Sequence, residues 1–450
     1  MLTSLRLVNF KAFKDTSFIN LAPLTILTGP NSSGKSAILR SLMALRQTVE
    51  DPDSTTSFVP TGRFVDIGPY YDFVYDQDKK SVVQFQTRFT LMPSEFPSSL
   101  LQIPDADKKV VLSVDLSLGY VQRSDTIYLR SSQVTLSQIF DINRVVMSGP
   151  YPIGRRYKTT VTWQSNTISL PPSPTAKFSV IPAPLLRDFR SPDQQQERNQ
   201  LVATELARVA GEIIRSQLTR IQYIGPFRVK PERMYLYTGQ APSDVGTSGE
   251  NGPATLWARS RQSSRFERNV SGWLKKMGLA REVSIESLYA SYFVVDLVDP
   301  NVIDSKKKLQ VNLPDVGFGT SQILPILVQG LIAEPGSTLL LEQPEIHLHP
   351  RVQAEMADFL IEQSRRGVGI IVETHSEHII GRLQRLVAQE RLQPNEFEIY
   401  NVTPHRNGSL VQKVVIDEYG RFVKPPAGFM DQGFSESFGL MEALSKRLSE

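Results

Sequence analysis

The segment Gly29-Pro30-Asn31-Ser32-Ser33-Gly34-Lys35-Ser36 has the spacing of a phosphate-binding loop, in which two glycines bracket four residues and are followed by lysine and serine. It follows the apolar run Leu24–Thr28 and precedes a helical pattern from Ala37 to Gln47. A strand, a glycine-rich turn and a helix N-terminus in this order aim backbone N–H groups at phosphate oxygens. We therefore predict a P-loop. Its candidate contacts to a nucleotide are Gly29, Asn31, Ser32, Ser33, Gly34, Lys35, Ser36 and Ala37.

Two side chains of this loop carry charge and metal chemistry. The ammonium of Lys35 is expected to reach the β- and γ-phosphates, and the hydroxyl of Ser36 is expected to hold Mg²⁺. The loop therefore predicts ATP and Mg²⁺ as the cofactors of the site.

A second apolar run, Thr338–Leu341, ends in the sequence Glu342-Gln343-Pro344-Glu345. A buried strand that ends in an acid places the carboxylate at the carboxyl edge of a sheet, where α/β proteins bind ligands. We predict that Glu342 is the second Mg²⁺ ligand.

Two more segments combine small or polar residues with neighbouring apolar runs. Gly317, Gly319 and Ser321 lie in a turn before the apolar run Ile323–Ile332, so amides at a helix N-terminus are again available, here for the γ-phosphate of a second molecule. The buried run Ile370–Val372 leads to His375, which can reach a γ-phosphate or the attacking water. We prefer this assignment for His375 to that of a core histidine.

Composition excludes several classes of protein. The 450 residues contain no cysteine, which excludes disulfides, thiolate zinc sites and cysteine nucleophiles. No apolar run approaches the roughly 18 residues of a membrane span, and the N-terminus lacks the pattern of a signal peptide. We expect a soluble cytoplasmic protein.

Positive charge is concentrated between Arg208 and Arg281. This stretch holds 13 Lys and Arg against 5 Asp and Glu, an excess larger than the net charge of +4 of the whole chain. A solvated helix face is the commoner explanation of such a stretch, and contact with DNA is the alternative.

The remaining pattern divides the chain. Strand signals at 5–10, 16–21, 81–90, 109–120 and 157–170 predict a β-rich region, 192–220 has the spacing of an amphipathic helix, 254–277 looks helical and basic, and 283–313 looks like a hairpin. Proline- and serine-rich spacers at 93–104 and 170–184 predict loops.

Taken in order, these motifs resemble the ABC-type ATPase heads of the RecF, SMC and OLD class. They are the P-loop, a signature at 317–322, an acidic strand end at 339–345, a histidine loop at 347–350 and a switch segment at 372–378. The resemblance implies an α/β head with two lobes from the chain ends, a lobe at 1–90, an inserted β and helical region at 91–310 and a lobe at 311–450. It also implies an ATP-dependent homodimer, with higher oligomers as a further possibility, in which Lys35 and Ser36 of one copy face Ser321 of the other.

Five segments are similar to a narrower family of bacterial stand-alone ATPases with a C-terminal domain of uncharacterised function. They are 224–236, 244–250, 342–350, 372–378 and 414–437. Relatives of this kind occur in antiphage defence operons beside a nuclease or toxin. The resemblance therefore implies a separate effector protein as partner and a role as a nucleotide-gated switch.

Gln343 occupies the position where such heads usually carry the glutamate that polarises the attacking water. Since an amide cannot accept a proton, we predict slow hydrolysis, with a non-hydrolysing ATP-gated scaffold as the alternative. Glu345 shares a face with Gln343 if the backbone is extended and is then a substitute base, as is Glu373. The coupling loop is expected near 65–70, yet 65–73 contains no glutamine, which leaves its Mg²⁺ ligand open.

Two histidines and two rival functions complete the interpretation. His347 and His349 point to one face if extended, as metal ligands can, but we favour packing in a dimer-contact loop. A nuclease in cis of the OLD type is not expected, because no Asp-x-Asp pair follows His378. A transporter subunit is disfavoured by the form of the signature and the acidic strand end.

Overall fold

The computed structural model describes residues 1–53, 56–91, 109–137, 143–148, 157–163, 166–173, 194–289, 291–299, 309–426 and 429. The predicted loop at 93–104 and most of the one at 170–184 lie outside these residues, as does the last part of the 414–437 segment. Within the described residues the fold is mixed α/β, with three sheets, which confirms the predicted class.

The first sheet has nine strands and is antiparallel throughout. Its order is β10-β9-β8-β7-β6-β5-β1-β2, and β3 also pairs with β1. The strands are β1 (Leu2–Phe10), β2 (Phe13–Asp15), β3 (Ile19–Asn20), β5 (Val83–Leu91), β6 (Val110–Val121), β7 (Thr126–Ser137), β8 (Asn143–Ser148), β9 (Tyr157–Trp163) and β10 (Asn166–Ser173). In β5 every second residue is buried, so one face of the sheet packs on a core.

The second sheet contains the P-loop strand and is parallel at its centre. Its order is β11-β16-β17-β4-β18-β19-β20, in which only β19 and β20 are antiparallel to their neighbours. The strands are β4 (Leu24–Thr28), β11 (Ile221–Ile224), β16 (Thr338–Glu342), β17 (Gly369–Glu373), β18 (Phe397–Thr403), β19 (Leu410–Ile416) and β20 (Phe422–Val423). Every residue of β4, β16 and β17 is buried, as expected for strands covered on both faces.

Eight helices and a small third sheet surround this centre in the described part of the chain. The helices are α1 (Lys35–Glu50), α2 (Tyr70–Phe73), α3 (Gln194–Thr219), α4 (Gly252–Gln262), α5 (Ser264–Lys276), α6 (Phe318–Ile332), α7 (Pro350–Arg365) and α8 (Glu377–Ala388). The third sheet consists of β12 (Tyr235–Leu236), β13 (Glu282–Tyr289), β14 (Tyr292–Val298) and β15 (Gln310–Asn312).

Alternate residues of β4 enter two hydrophobic cores. Leu27 packs in the core that includes β1, α1 and α3, whereas Leu24 and Ile26 pack in the core that includes α6, α7 and α8. The loop that follows β4 is therefore fixed from both sides. Burial of β4 in both cores holds the P-loop in place relative to the helices and strands of each core.

Several sequence predictions are confirmed and one needs correction. The helix at 192–220 and the strands at 81–90 and 109–120 are present, and the strand candidate at 157–170 forms two strands, β9 and β10. However, α6 begins at Phe318 and not at Ile323, so Gly319 and Ser321 lie in its first turn instead of a turn before it. Gly317 is its N-cap and is exposed, and a Cβ at this position would meet no atom within 4 Å.

None of the helices in the described part of the chain is long and apolar enough to span a bilayer.

Candidate functional site

The loop between β4 and α1 has the shape of a phosphate cradle. Gly29 and Gly34 have φ angles of +133° and +104°, which side-chain-bearing residues rarely adopt. A Cβ at Gly29 would lie 2.1 Å from the carbonyl oxygen of Val402, and one at Gly34 would lie 2.9 Å from the ring of Phe13. Only glycine therefore fits at these two positions, and the backbone of the loop stays accessible to a ligand.

A cavity of about 380 Å³ lies over this loop. It is lined by the P-loop and the start of α1, by the turn between β1 and β2, by the segment 72–77 and by the end of β17. The residues are Lys11, Ala12, Ser32, Gly34, Lys35, Ser36, Ala37, Asp72, Val74, Asp76, Gln77 and Glu373. The volume is within the range of small-ligand sites.

Lys35 is buried in this cavity wall. Its Nζ donates to the carbonyl oxygens of Gly29, at 3.0 Å, and Pro30, at 2.7 Å. Burial lowers the pKa of Lys35, while the carboxylates of Glu373 and Glu345 oppose this shift. The ammonium of Lys35 therefore lies near the P-loop carbonyls and the carboxylates of Glu373 and Glu345.

Glu342 ends β16 with its side chain almost completely buried. Its two carboxylate oxygens accept from Nε and Nη2 of Arg40, each at 3.3 Å, and the phenol of Tyr223 is also close. Arg40 belongs to α1, so the acidic strand end and the P-loop helix are joined by a charge-assisted contact.

Glu373 lies opposite Glu342 in the next strand, because the two residues pair in the register of β16 and β17. One of its carboxylate oxygens is 4.0 Å from Nζ of Lys35, and the carboxylate also contacts the hydroxyl of Ser36. Burial raises the pKa of Glu373, with Ser36 and Lys35 acting against the shift. Its Oε2 has no hydrogen-bond partner in the described part of the chain. The structure thus places Glu373, which the sequence suggested only as a substitute base, next to Ser36.

Glu345 and His375 are in contact through the backbone. Oε1 of Glu345 accepts from the N–H of His375 at 2.7 Å. Burial raises the pKa of Glu345, against the effect of this hydrogen bond and of the Arg228 charge. Partial desolvation, together with the charge of Lys35, lowers the pKa of His375, so its imidazole is neutral at pH 7.

The backbone at Gln343 is not extended, so the condition under which Gln343 and Glu345 would share a face is not met. The strand ends at Glu342, and Gln343 has a φ of 44°, which turns the chain into the segment Pro344–His347. The N–H of Gln343 donates to the carbonyl oxygen of Glu373 at 2.7 Å. Side-chain alternation applies only to extended backbone, and Pro344 follows a residue that is not extended.

Arg228 belongs to the basic stretch between Arg208 and Arg281, but it is buried beside the acidic turn, which is the segment 342–345, and does not lie on a solvated face. Its Nη2 donates to the carbonyl oxygens of Gln343, at 3.3 Å, and Glu342, at 3.5 Å. Burial lowers the pKa of Arg228 to about 10, and the charge of Glu345 opposes this shift. Arg228 is therefore the nearby cation that offsets the buried Glu345 carboxylate. No sequence signal distinguished it from the other cations of the stretch.

Gln77 is a residue that sequence reasoning missed. It lines the P-loop cavity together with Asp76, and both have φ angles of 54° after the short helix α2. Gln77 lies four residues beyond the stretch 65–73 in which the coupling-loop glutamine was expected. The aromatic pattern of Tyr70–Phe73, which forms α2 and lengthens the loop, was the available signal.

Ser321 of the signature lies in a different cavity. Ser321 is buried and donates from its hydroxyl to the carbonyl oxygen of Phe318 at 2.8 Å. It lines a cavity of about 290 Å³ between α6 and 229–254, and this cavity shares no lining residue with the P-loop cavity. Gly317 is exposed with open space around it, whereas a Cβ at Gly319 would lie 2.7 Å from the carbonyl oxygen of His347.

The two histidines of the 347–350 loop make different contacts. The ring of His347 packs edge-on against Phe318, with ring centroids 4.8 Å apart, and Nδ1 of His349 accepts from the N–H of Arg351 at the start of α7. The loop therefore packs on the signature helix of its own chain.

The residues present fit Mg²⁺ and a nucleotide. The oxygen donors next to Lys35 are the hydroxyl of Ser36 and the carboxylate of Glu373, and Glu342 lies opposite Glu373 in the neighbouring strand. Hydroxyl and carboxylate oxygens are the ligands that Mg²⁺ takes. Among the described residues there is no group of three or more His, Asp and Glu shaped to enclose a metal ion.

Comparisons with known families match both ends of the chain. Residues 1–103 match a model described as "AAA ATPase domain", and residues 295–381 match one described as "AAA domain, putative AbiEii toxin, Type IV TA system". Both segments are therefore similar to AAA-type ATPase domains. The first match contains the P-loop, and the second contains the signature, Glu342 and His375.

Solved structures of SMC heads are similar to this chain at low identity. One is the SmcHead bound to the C-winged helix domain of ScpA, with 12% identity, 93% of this chain and 98% of that chain covered, and a TM-score of 0.44. A second is the SMC head domain from Thermotoga maritima, with 10% identity, 92% and 99% covered, and a TM-score of 0.41. A third, with an extended coiled coil and the C-terminal domain of ScpA, derived from Pyrococcus furiosus, has 10% identity, 99% of each chain covered and a TM-score of 0.43. A search of curated proteins found no match.

The geometry around Lys35 leads to a first prediction. Lys35→Ala should weaken ATP binding by about tenfold or more, because it removes the main counter-charge of the β- and γ-phosphates. Isothermal titration calorimetry measures the change, with Lys14→Ala as a control that removes an equal charge from an exposed site outside the cavity. Equal affinity in the Lys35→Ala variant and the control would show that the loop does not hold the phosphates.

Proposed function

We propose that this chain is an ATP-binding, slowly hydrolysing ABC-type ATPase that acts as a dimeric, nucleotide-gated switch. The supporting observation is the separation of its two half-sites. Lys35, Ser36 and Glu373 lie around one cavity, and Ser321 lines another that shares no residue with it. Two copies that face each other would complete each P-loop with the signature of the partner.

In such a dimer the P-loop amides and Lys35 bind the phosphates of ATP. Ser36, Glu342 and Glu373 are the residues that would hold Mg²⁺, and Gln77 lies in the same cavity wall. Bound Mg²⁺ supplies charge neutralisation at the phosphates as they react. Gly317 and Gly319 of the partner present the amides at the start of α6 to the γ-phosphate.

Glu345 is the carboxylate that we assign as proton acceptor in the slow reaction. It lies against the backbone of His375, and burial raises its pKa, which brings a carboxylate base closer to neutral pH. Gln343, in the turn that leads to Glu345, can orient a water molecule but cannot take its proton. The neutral imidazole of His375 can donate or accept a hydrogen bond at the γ-phosphate end.

A non-hydrolysing ATP-gated scaffold is the second candidate function. It is favoured by Gln343 and by Arg40, which occupies both carboxylate oxygens of Glu342. In either case ATP favours the closed dimer by binding it more tightly than the open form.

The proposed partners are a second copy of this chain and a separate effector protein. The resemblance to ATPases of antiphage defence operons supports a nuclease or toxin as the effector, and the description of the model matched at 295–381 also names a toxin. We propose a role in antiphage defence on these grounds.

Gly317→Glu should abolish ATP-dependent association of two copies. The substituted position is open in the monomer, and an acid at a helix N-terminus is tolerated or stabilising, so the variant should fold. The added negative charge would repel the phosphates of the ATP bound to the partner copy. Light scattering with and without ATP measures the assembly. Ser321→Arg, at a buried position, should act in the same direction, and Ser124→Glu, in an exposed turn between β6 and β7, is the matched control. ATP-dependent assembly of Gly317→Glu equal to that of the control would refute the composite site.

The roles of the acidic turn can be separated by turnover measurements. Gln343→Glu should accelerate steady-state hydrolysis, by up to about 10² to 10⁴ if a general base is the missing element. Glu345→Gln should eliminate the slow turnover of the wild type. Glu342→Gln should abolish turnover both in the wild type and in the Gln343→Glu variant. Glu418→Gln, an exposed residue of the second lobe, should leave the rate unchanged. If no phosphate release is detectable in wild type and Gln343→Glu restores it, the scaffold function is the correct one.

A further inference from the structure

A third cavity, of about 630 Å³, lies outside the ATP site, and four of its nine lining residues are cations. Its residues belong to α5, to the last turn of α6 and to the end of α7: Arg265, Arg268, Asn269, Gly272, Trp273, Lys276, Leu331, Glu362 and Arg366. Four of these side chains are cationic and one is acidic, a formal surplus of three positive charges. None of them lines the P-loop cavity or the Ser321 cavity.

One stripe of α5 forms most of the cavity wall. Arg265, Arg268, Asn269, Gly272 and Lys276 follow the spacing of residues on a single helix face. Gly272 lies in the middle of this stripe, and a Cβ built on it would meet no atom within 4 Å. A glycine inside a helix costs stability relative to alanine, and here it keeps the floor of the cavity open.

The cations of the cavity differ in how far their charge is already neutralised. Lys276 lies 3.2 Å from Asp358 and above the ring of Trp273. In contrast, Arg366 donates to neutral acceptors only, the carbonyl oxygens of Gly330 and Leu331 and the side-chain oxygen of Gln363.

Arg265 and Arg268 have no hydrogen-bond or ion-pair partner among the residues that the structure describes, and both are exposed to solvent at the cavity. Three guanidinium groups from two elements therefore face one concave space with a single carboxylate, Glu362. Guanidinium groups form paired hydrogen bonds with phosphate oxygens, so this donor set matches a ligand with several phosphates.

We propose that this cavity is a second ligand site, which binds a small molecule of nucleotide size with at least two phosphate groups. The volume is within the range of small-ligand pockets, and Arg265, Arg268 and Arg366, which have no carboxylate partner among the described residues, supply positive charge for a polyphosphate. A nucleic acid duplex is the less favoured ligand, because it is too wide to enter a cavity of this volume. It would instead bind to a convex or flat protein surface. The site is independent of the proposed ATPase function, because it shares no residue with the ATP site.

Binding of inorganic tripolyphosphate tests this proposal. The protein is the full chain with Lys35→Ala, which removes the main phosphate cation of the P-loop, and the measurement is isothermal titration calorimetry. We expect one saturable site. Adding Arg265→Ala and Arg268→Ala should weaken its affinity by about tenfold or more. Gly272→Leu should weaken it similarly without any change of charge, because the leucine side chain fills the cavity while leucine is a better helix former than glycine.

Lys275→Ala is the matched control. It removes one charge from the same helix at an exposed position that does not line the cavity, and should change the affinity less than about twofold. Absence of saturable binding, or equal loss from Lys275→Ala and from Arg268→Ala alone, would overturn the proposal. Loss of short duplex DNA binding in Lys275→Ala and Arg268→Ala alike, with no effect of Gly272→Leu, would replace it with a nucleic-acid surface.

Discussion

The register of β17 between β4 and β16 is the constraint on which the site depends. This strand pairs with β4 on one side and β16 on the other, and both pairings are parallel. Glu373 is therefore level with Glu342 and with Leu27, two residues before Gly29. A parallel sheet places the carboxyl ends of its strands at one edge, so residues three hundred positions apart meet there. A slip of one residue in β17 would turn Glu373 to the opposite face of the sheet.

Buried carboxylates at this edge each lie near a cation. Glu342 contacts Arg40, Glu373 lies near Lys35, and Glu345 lies near Arg228. Burial of an unpaired charge is expensive, and removal of one partner leaves the other without compensation. The pairing therefore explains why a P-loop, an acidic strand end and a switch segment from distant parts of the chain are fixed together. It also provides several candidate proton acceptors near one neutral amide, Gln343.

Much of the fold and the composition of the site were predictable from local patterns. Apolar runs bounded by turn residues identified β4, β16 and β17, and the P-loop spacing identified the start of α1. Strands β7 and β8 were not predicted. In β7 the pair Ser131–Ser132 interrupts the apolar alternation, and burial comes from neighbouring strands that a local pattern does not include.

The errors at the site have tertiary causes. Gln343 adopts a left-handed conformation because the strand ends one residue earlier, and no local signal separates Arg228 from exposed arginines nearby. Gln77 enters the site only because a short helix lengthens the loop before β5. Conversely, the assignment of Lys35, Ser36 and Glu342 to one edge needed only the parallel-sheet rule. The positions of the side chains at strand ends were therefore predictable, whereas the positions of those on turns and buried loops required the structure.

Complementation between two inactive variants tests the composite site most directly. Lys35→Ala destroys the P-loop half and Gly317→Glu destroys the signature half, so neither protein alone forms an intact site. A mixed dimer contains one intact site, built from the P-loop of the Gly317→Glu copy and the signature of the Lys35→Ala copy. Phosphate release over a long incubation is measured for each variant and for an equimolar mixture. The account predicts no turnover from either variant alone and recovery of part of the wild-type turnover on mixing. A mixture as inactive as its components, with wild type active under the same conditions, would contradict it.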